Sequence, residues 1–366
     1  AAPPTRSRPA WRPRWPMSSA DGELAGHEEL RRALLAAVRR GALPHALLLT
    51  GEAGLGKRRL AEWLAAARWC TAAAPPCGSC RSCRLVATGN HPDLHLLVRN
   101  PSRDQDPDEL GSRHEITVDQ VRRGLIPALG VRALEGRGRT VLIDGADELN
   151  EAAQNALLKT LEEPPPGTLL LLLAAHADAL LDTVRSRCQE LRIFPLSADA
   201  LRARFPDADE PRLRLAAGRP GRLVELQRLD VGALLRALDD VLDGALSGSA
   251  FAAAVEQVVE ARADARTEDE EVAHRLAAEV CLARLRDRLA AGGTAPEGAA
   301  AALLELATDL RRHIPPGVAW VAAGIELSGG RMGGRGSRAP HMLGTVKRPA
   351  MRSDDGGTLP EPDAHR

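Results

Sequence analysis

Apolar residues recur along this chain at two different spacings, and the places where the spacing changes divide it into regions. Residues 28–40 repeat apolar side chains at helical intervals, with Leu30, Leu34 and Val38 on one stripe. A short apolar run, Ala46-Leu47-Leu48-Leu49, leads into a glycine-rich turn, and helical spacing resumes through Leu60, Trp63, Leu64 and Ala67. Stretches 94–98, 140–143, 169–173 and 190–194 read as further strands. Helices are expected from near Val118 and over 151–162, the second stopped by Pro164-Pro165-Pro166-Gly167. Apolar strands alternating with helices predict an α/β fold whose parallel sheet is covered on both faces. The polar stretch 99–113 reads as a surface loop.

After Pro195 the strand pattern ends. Residues 197–228 suit a small helical unit, and helical spacing alone follows at 232–246, 251–265, 269–290 and 296–312. From 328 to 366 Gly, Arg, Pro and Asp dominate without periodicity, which predicts a disordered tail. The first Met is Met17, and the Arg-, Pro- and Trp-rich residues before it lack the apolar core of a signal peptide. We therefore expect residues 1–18 to be a disordered extension, or partly sequence upstream of the true start. The implied domains are an α/β domain over 19–196, a helical lid over 197–228 and an all-α domain over 229–327.

Composition narrows the function classes. Lys+Arg and Asp+Glu stand at 49 each, so no overall basic field draws the chain to nucleic acid. Five Trp, three Phe and no Tyr are too few for a base-stacking platform. No apolar run approaches the roughly 18 residues of a membrane span. Six cysteines, four of them within residues 70–83, point to a metal site in a reducing cytoplasm rather than a disulfide framework.

Gly51-Glu52-Ala53-Gly54-Leu55-Gly56-Lys57-Arg58 fits a phosphate loop through seven positions. Gly51, Gly54 and Gly56 let backbone N–H groups approach phosphate oxygens, the next helix start favours anions, and Lys57 suits the terminal phosphates. The eighth position calls for a Ser or Thr hydroxyl to hold Mg²⁺, and Arg58 has no acceptor atom to offer. Val141-Leu142-Ile143-Asp144 has the form of the acidic Walker B strand, but Gly145 stands where many ATPases place the water-activating Glu. Asp147 and Glu148 lie close by, but they read first as negative charge favoured in the first turn of the following helix.

Cys70, Cys77, Cys80 and Cys83 offer four thiolates, enough for a closed tetrahedral zinc site, with Gly78, Ser79 and Ser82 small enough for tight turns. Free thiols or an iron–sulfur cluster are the alternatives. Four ligands leave no open coordination position, so the metal would be structural. The spacing lacks the histidines of a DNA-reading finger, which argues against a sequence-specific DNA-binding protein.

Several strings occur in a telling order: Pro44-His45-Ala46-Leu47-Leu48, the four-Cys module directly after the phosphate-loop helix, His91-Pro92-Asp93, and Ile116-Thr117-Val118-Asp119-Gln120-Val121-Arg122. Asn155-Ala156-Leu157-Leu158-Lys159-Thr160-Leu161-Glu162-Glu163-Pro164-Pro165 and Ser186-Arg187-Cys188 follow. Over about residues 24–225 this resembles the delta-prime family of bacterial DNA polymerase III clamp-loader subunits, which are AAA+ proteins. The resemblance implies an AAA+ domain, its lid and a helical collar. It also implies a hetero-oligomer with gamma/tau and delta subunits that places a sliding clamp on primed DNA. Gamma/tau hydrolyses ATP, and delta-prime is the stator. In the family the Ser-Arg-Cys arginine acts in trans on a neighbour's ATP, and Arg187 matches it. Polar sensor residues of a motor subunit fall here at Ala174 and Ala175, and the lid sensor arginine at Gly221, beside Arg222. Those losses, with Arg58 and Gly145, make ATP binding doubtful and favour a stator over the alternative, a gamma/tau-like ATPase.

Overall fold

The computed structural model describes residues 26–99, 115–261, 267–311 and 314–329. The expected extension at 1–18, nearly all of the 99–113 loop and the tail beyond residue 329 lie outside them.

Five strands form one parallel sheet: β1 Ala46–Thr50, β2 Leu94–Leu97, β3 Arg139–Asp144, β4 Thr168–Ala174 and β5 Gln189–Arg192, in the order β2-β3-β4-β1-β5. β1 and β4 are buried at every position, as continuous apolar runs must be when both faces are covered. Side chains of alternate residues then serve opposite cores. Leu48, Val141, Ile143, Leu170 and Leu172 enter one core, and Leu47, Leu49, Leu142, Leu169 and Leu171 enter the other. β5 is a polar edge strand.

Helices α1 Glu28–Arg40 and α2 Lys57–Trp69 supply Leu34, Leu60 and Leu64 to the second core. α3 Arg81–Ala87 belongs to the cysteine segment. A π-helix over Gln120–Leu125 runs into α4 Ile126–Gly130 where one regular helix is expected. α5 Glu151–Glu162 starts at Asn150, whose side chain accepts from the Ala153 amide, and gives Leu157 and Leu161 to the first core. α6 Asp182–Arg185 is a single turn.

Beyond β5 the chain is helical: α7 Ala198–Arg204, α8 Glu210–Ala216, α9 Pro220–Gln227, α10 Val231–Leu242, α11 Gly248–Glu260, α12 Thr267–Ala290, α13 Ala299–Arg311 and α14 Pro316–Leu327. α14 has no counterpart among the expected helices. Ala319, Trp320, Ala323, Gly324 and Leu327 form its buried stripe, but Val318 and Val321 leave the exposed face apolar as well, so the sequence shows almost no amphipathic period. One apolar core takes in Leu201, Leu223 and Leu226 together with Leu234, Phe251, Cys281 and Trp320, so the helices expected as lid and as all-α domain share it. No described helix is long and apolar enough to cross a membrane.

Candidate functional site

At the carboxyl edge of the sheet, β1 ends at Thr50 and α2 begins at Lys57, with the phosphate loop between them. Gly51, Gly54 and Gly56 have φ of 136°, 82° and 87°, which only glycine adopts without strain. A methyl at Gly51 would also meet Ile193 O at 2.5 Å. The loop therefore turns at these three positions in conformations that call for glycine. Lys57 Nζ folds back onto it, donating to Gly51 O and to Glu52 O at 2.8 Å. Burial lowers the pKa of this ammonium, while Asp147, Asp144 and Glu52 pull it upward.

Arg58 does more than omit a hydroxyl. Its Nη1 meets Asp144 Oδ2 at 3.1 Å and its Nε meets Glu62 Oε1 at 3.0 Å. Gly145 has φ 84°, and a Cβ there would lie 2.7 Å from Glu148 Oε2. The Glu148 carboxylate thus folds back over Gly145. It is paired with Arg99 at 2.7 Å, and its pKa is raised by burial. Asp147 and Glu148 sit in a 3-10 turn over Ala146–Glu148, one turn before α5 rather than within its first turn. Asp147 Oδ2 accepts from the amides of Ala175 and His176 at 3.1 and 3.0 Å, so it braces the end of β4. Ala174 is wholly buried in the core and presents nothing to the loop.

The α9 end closes over this edge backbone to backbone. Gly221 N donates to Gly54 O at 2.8 Å, and Arg219 Nη1 meets Glu52 Oε2 at 3.0 Å. Arg222 does not face the loop: it donates to Leu215 O at 3.0 Å and pairs with Glu279 of α12. Burial, followed by neighbouring Arg219, lowers its pKa to about 10.

Arg187 lies at the opposite, amino edge. It precedes β5, whose Gln189 pairs with Leu47 near the start of β1. The five residues of β1 separate the two edges by about 16 Å at 3.3 Å per residue. Glu162 at the end of α5 receives Arg187 Nε at 2.9 Å and Nη2 at 2.5 Å, and Thr183 O receives Nη1 at 2.8 Å. The Arg187 side chain remains 34% exposed, held in place yet open to the outside. His45 Nε2 bonds Leu161 O at 2.9 Å, tying the same corner to β1. Sequence spacing gives no sign of Glu162 as the partner; contact across the fold creates it.

The four cysteines come together. Their sulfurs all lie within 4.8 Å of one another, and Cys70 and Cys80 are 4.0 Å apart. A tetrahedron of 2.3 Å Zn–S bonds needs about 3.8 Å between sulfurs, so the donor set fits a metal such as zinc. Backbone amides point at the sulfurs: Cys77 N at Cys70, Cys80 N at Cys77 and Cys83 N at Cys80, at 3.3–3.5 Å. Hydrogen bonds from Ser79 and the Cys80 amide bring the Cys77 thiol down to about 6, favouring the thiolate that binds metal. Burial pushes the Cys83 thiol up. Beneath the module Trp69 stacks on His91 at 3.8 Å, and Asp93 accepts from the amides of Leu134 and Glu135 at 2.8 Å each. Cys188 and Cys281 stand apart from it, and burial raises both thiols, Cys188 to about 11.

Comparison with known proteins fits this arrangement. The family profile described as DNA polymerase III, delta subunit matches residues 26–197. DNA polymerase III subunit delta' of Pseudomonas aeruginosa is 41% identical over 187 residues, covering 48% of this chain and 53% of that protein. The Bacillus subtilis delta' subunit is 37% identical over 205 residues, covering 53% and 57%. Escherichia coli subunit tau is 30% identical over 194 residues, covering 52% of this chain and 27% of tau. The chain thus spans about half the length of the delta' relatives it matches. A gamma subunit-related protein of Thermotoga maritima aligns at 15% identity and TM-score 0.41, over 81% of this chain and 99% of that one, too loosely to carry an argument. Residues 26–197 of this chain thus match the DNA polymerase III delta-subunit family model, and the relatives aligned with it there are delta' subunits.

Proposed function

We propose that this chain is the stator of a DNA polymerase III clamp loader, giving Arg187 to the ATP site of a neighbouring subunit rather than hydrolysing ATP itself. The observation that carries this reading is the position of Arg187 at the amino edge, the depth of the sheet away from the chain's own phosphate loop. A guanidinium there serves only a nucleotide held by another molecule. The partners are gamma/tau and delta subunits, and through them the sliding clamp and primed DNA. Residues 229–327 form the collar of the hetero-oligomer, residues 197–228 its lid, and the four-cysteine module holds structural zinc.

Fixed arginines on a transferring phosphoryl group are worth roughly 10³–10⁵ in rate. Arg187→Ala in the complex reconstituted with gamma and delta partners should leave assembly intact and lower DNA-stimulated ATPase by at least tenfold in the site it faces. An unchanged rate refutes the finger role.

The likeness to tau favours a second reading, in which the chain itself turns over ATP. The pairing of Arg58 with Asp144 counts against it. ATP turnover by the isolated chain, abolished by Lys57→Ala, would establish that reading in place of ours.

A further inference from the structure

In P-loop NTPases Mg²⁺ is held by the hydroxyl at the end of the loop and by the Walker B acid. One substitution here alters both contacts. Arg58 stands at the hydroxyl position, and its guanidinium lies on Asp144 at 3.1 Å. Glu62, one turn along α2, fixes the same guanidinium from the other side at 3.0 Å. Mg²⁺ demands octahedral oxygen ligands at 2.0–2.1 Å, and a guanidinium offers donors only. An ion at Asp144 would have to expel a cation already hydrogen-bonded there, with one protein oxygen fewer to replace it. The residues present do not fit the metal.

We propose that Arg58 is a tethered counter-ion occupying the magnesium seat, and that it alone closes an otherwise intact phosphate loop to metal-bound nucleotide. The glycine turn and Lys57 are in place, and the lid meets the loop at Gly54 O and at the Glu52 side chain, not at Asp144 or Arg58. The losses at Gly145, Ala174 and Ala175 bear on hydrolysis, not on seating the ion. This inference rests on the stator reading but fails or stands separately from it.

The test is equilibrium dialysis of the full chain with ATP, in Mg²⁺ and in EDTA, for wild type, Arg58→Thr and Arg58→Thr/Asp144→Asn. Arg58→Thr should bind ATP at least about tenfold more tightly in Mg²⁺ than in EDTA, the scale on which metal-site contacts act. Wild type should show no metal dependence, and the added Asp144→Asn should abolish it. Arg58→Ser repeats the test should the threonine variant fail to fold, as judged by circular dichroism. The proposal is overturned by a folded hydroxyl variant that gains nothing from Mg²⁺, or by wild type that already binds ATP in a Mg²⁺-dependent way. Turnover by wild type lost on Lys57→Ala would defeat the stator reading instead; the binding ratios concern Arg58.

Discussion

Replacing Gly221 with alanine sets helix propensity against the seating of the lid. Gly221 is the second residue of α9, and Gly232 is the second residue of α10. Propensity alone predicts that alanine stabilises either helix, by up to about 1 kcal/mol. The surroundings differ. A Cβ at 221 would lie 3.0 Å from both Cα and O of Gly54, backbone atoms of the phosphate loop itself. A Cβ at 232 would lie 3.3 Å from Arg236 Nη1, the end of a flexible side chain, and 3.4 Å from Asp230 Oδ1, an ordinary contact that leaves the cap of α10 in place. Overpacking against fixed atoms costs about 1–3 kcal/mol. Gly221→Ala should therefore lose about 1–2 kcal/mol net, while Gly232→Ala gains a few tenths to about 1 kcal/mol. Calorimetry would read the loss as a fall of roughly 2–8 °C in Tm, at 2–4 °C per kcal/mol for a cooperative unit of 150–250 residues. If both variants shift upward alike, the backbone contact between α9 and the loop is not a constraint, and the closure inferred from Gly221 N and Gly54 O is wrong.

Cys80→Ser should release the metal: wild type is expected to carry about one zinc per chain, and the variant far less, with faster proteolysis near residues 70–83. Metal analysis of freshly purified wild type that finds no zinc defeats this. Acid should destabilise the chain through His274, whose Nδ1 accepts from the Trp320 indole at 3.1 Å and must therefore be unprotonated. Burial lowers its pKa, partly opposed by Glu256 and Glu260 of α11, and Glu270 Oε1 stands 3.9 Å from Nε2 on its own helix. The unfolded chain then binds a proton that the folded one refuses. The contribution is whole above the ordinary value of about 6.5 and is lost as pH falls from there toward the depressed folded pKa. His274→Gln keeps an acceptor for Trp320 and should flatten the decline of Tm below pH 6.5, though not remove it, because His27 and His91 are shifted the same way. An equally steep decline in the variant refutes the assignment.

What the sequence discloses depends on whether a feature is local. Residues 28–40 and 151–162 were legible because the first carries its apolar stripe within itself and the second is bounded by the proline run just beyond it. So were the φ > 0 glycines of the loop and the convergence of the cysteines, since short spacing alone limits where those groups can go. The helix 316–327 was not legible, because its exposed face carries Val318 and Val321 opposite the buried stripe, so apolar residues on both faces leave no period to read. Pairings across the fold were hidden as well. Arg58 and Asp144 are 86 residues apart, and Arg187 and Glu162 are 25 apart. Motif reading therefore identified Arg58 as a missing hydroxyl, but only the folded chain reveals it as a cation placed on the Walker B acid.

That difference bears on why a phosphate loop persists in a chain proposed not to use it. The loop is a structural joint before it is a binding site. Gly51 turns β1 beneath Ile193 O, Gly54 O accepts the Gly221 amide of α9 in the lid, and Glu52 anchors Arg219. From Arg222 the connection continues to Glu279 of α12, so sheet, lid and α12 are joined through one short path. Filling the metal seat with Arg58 closes the loop to metal-bound nucleotide while leaving that joint, and the carboxyl edge with it, bound to its own chain. The amino edge is governed by the opposite requirement. Glu162 and Thr183 hold the Arg187 guanidinium without covering it, as a group must be held if it is to act on another molecule. In the proposed assembly the carboxyl edge would supply rigidity and the amino edge the chemistry, and strand polarity alone keeps the two apart.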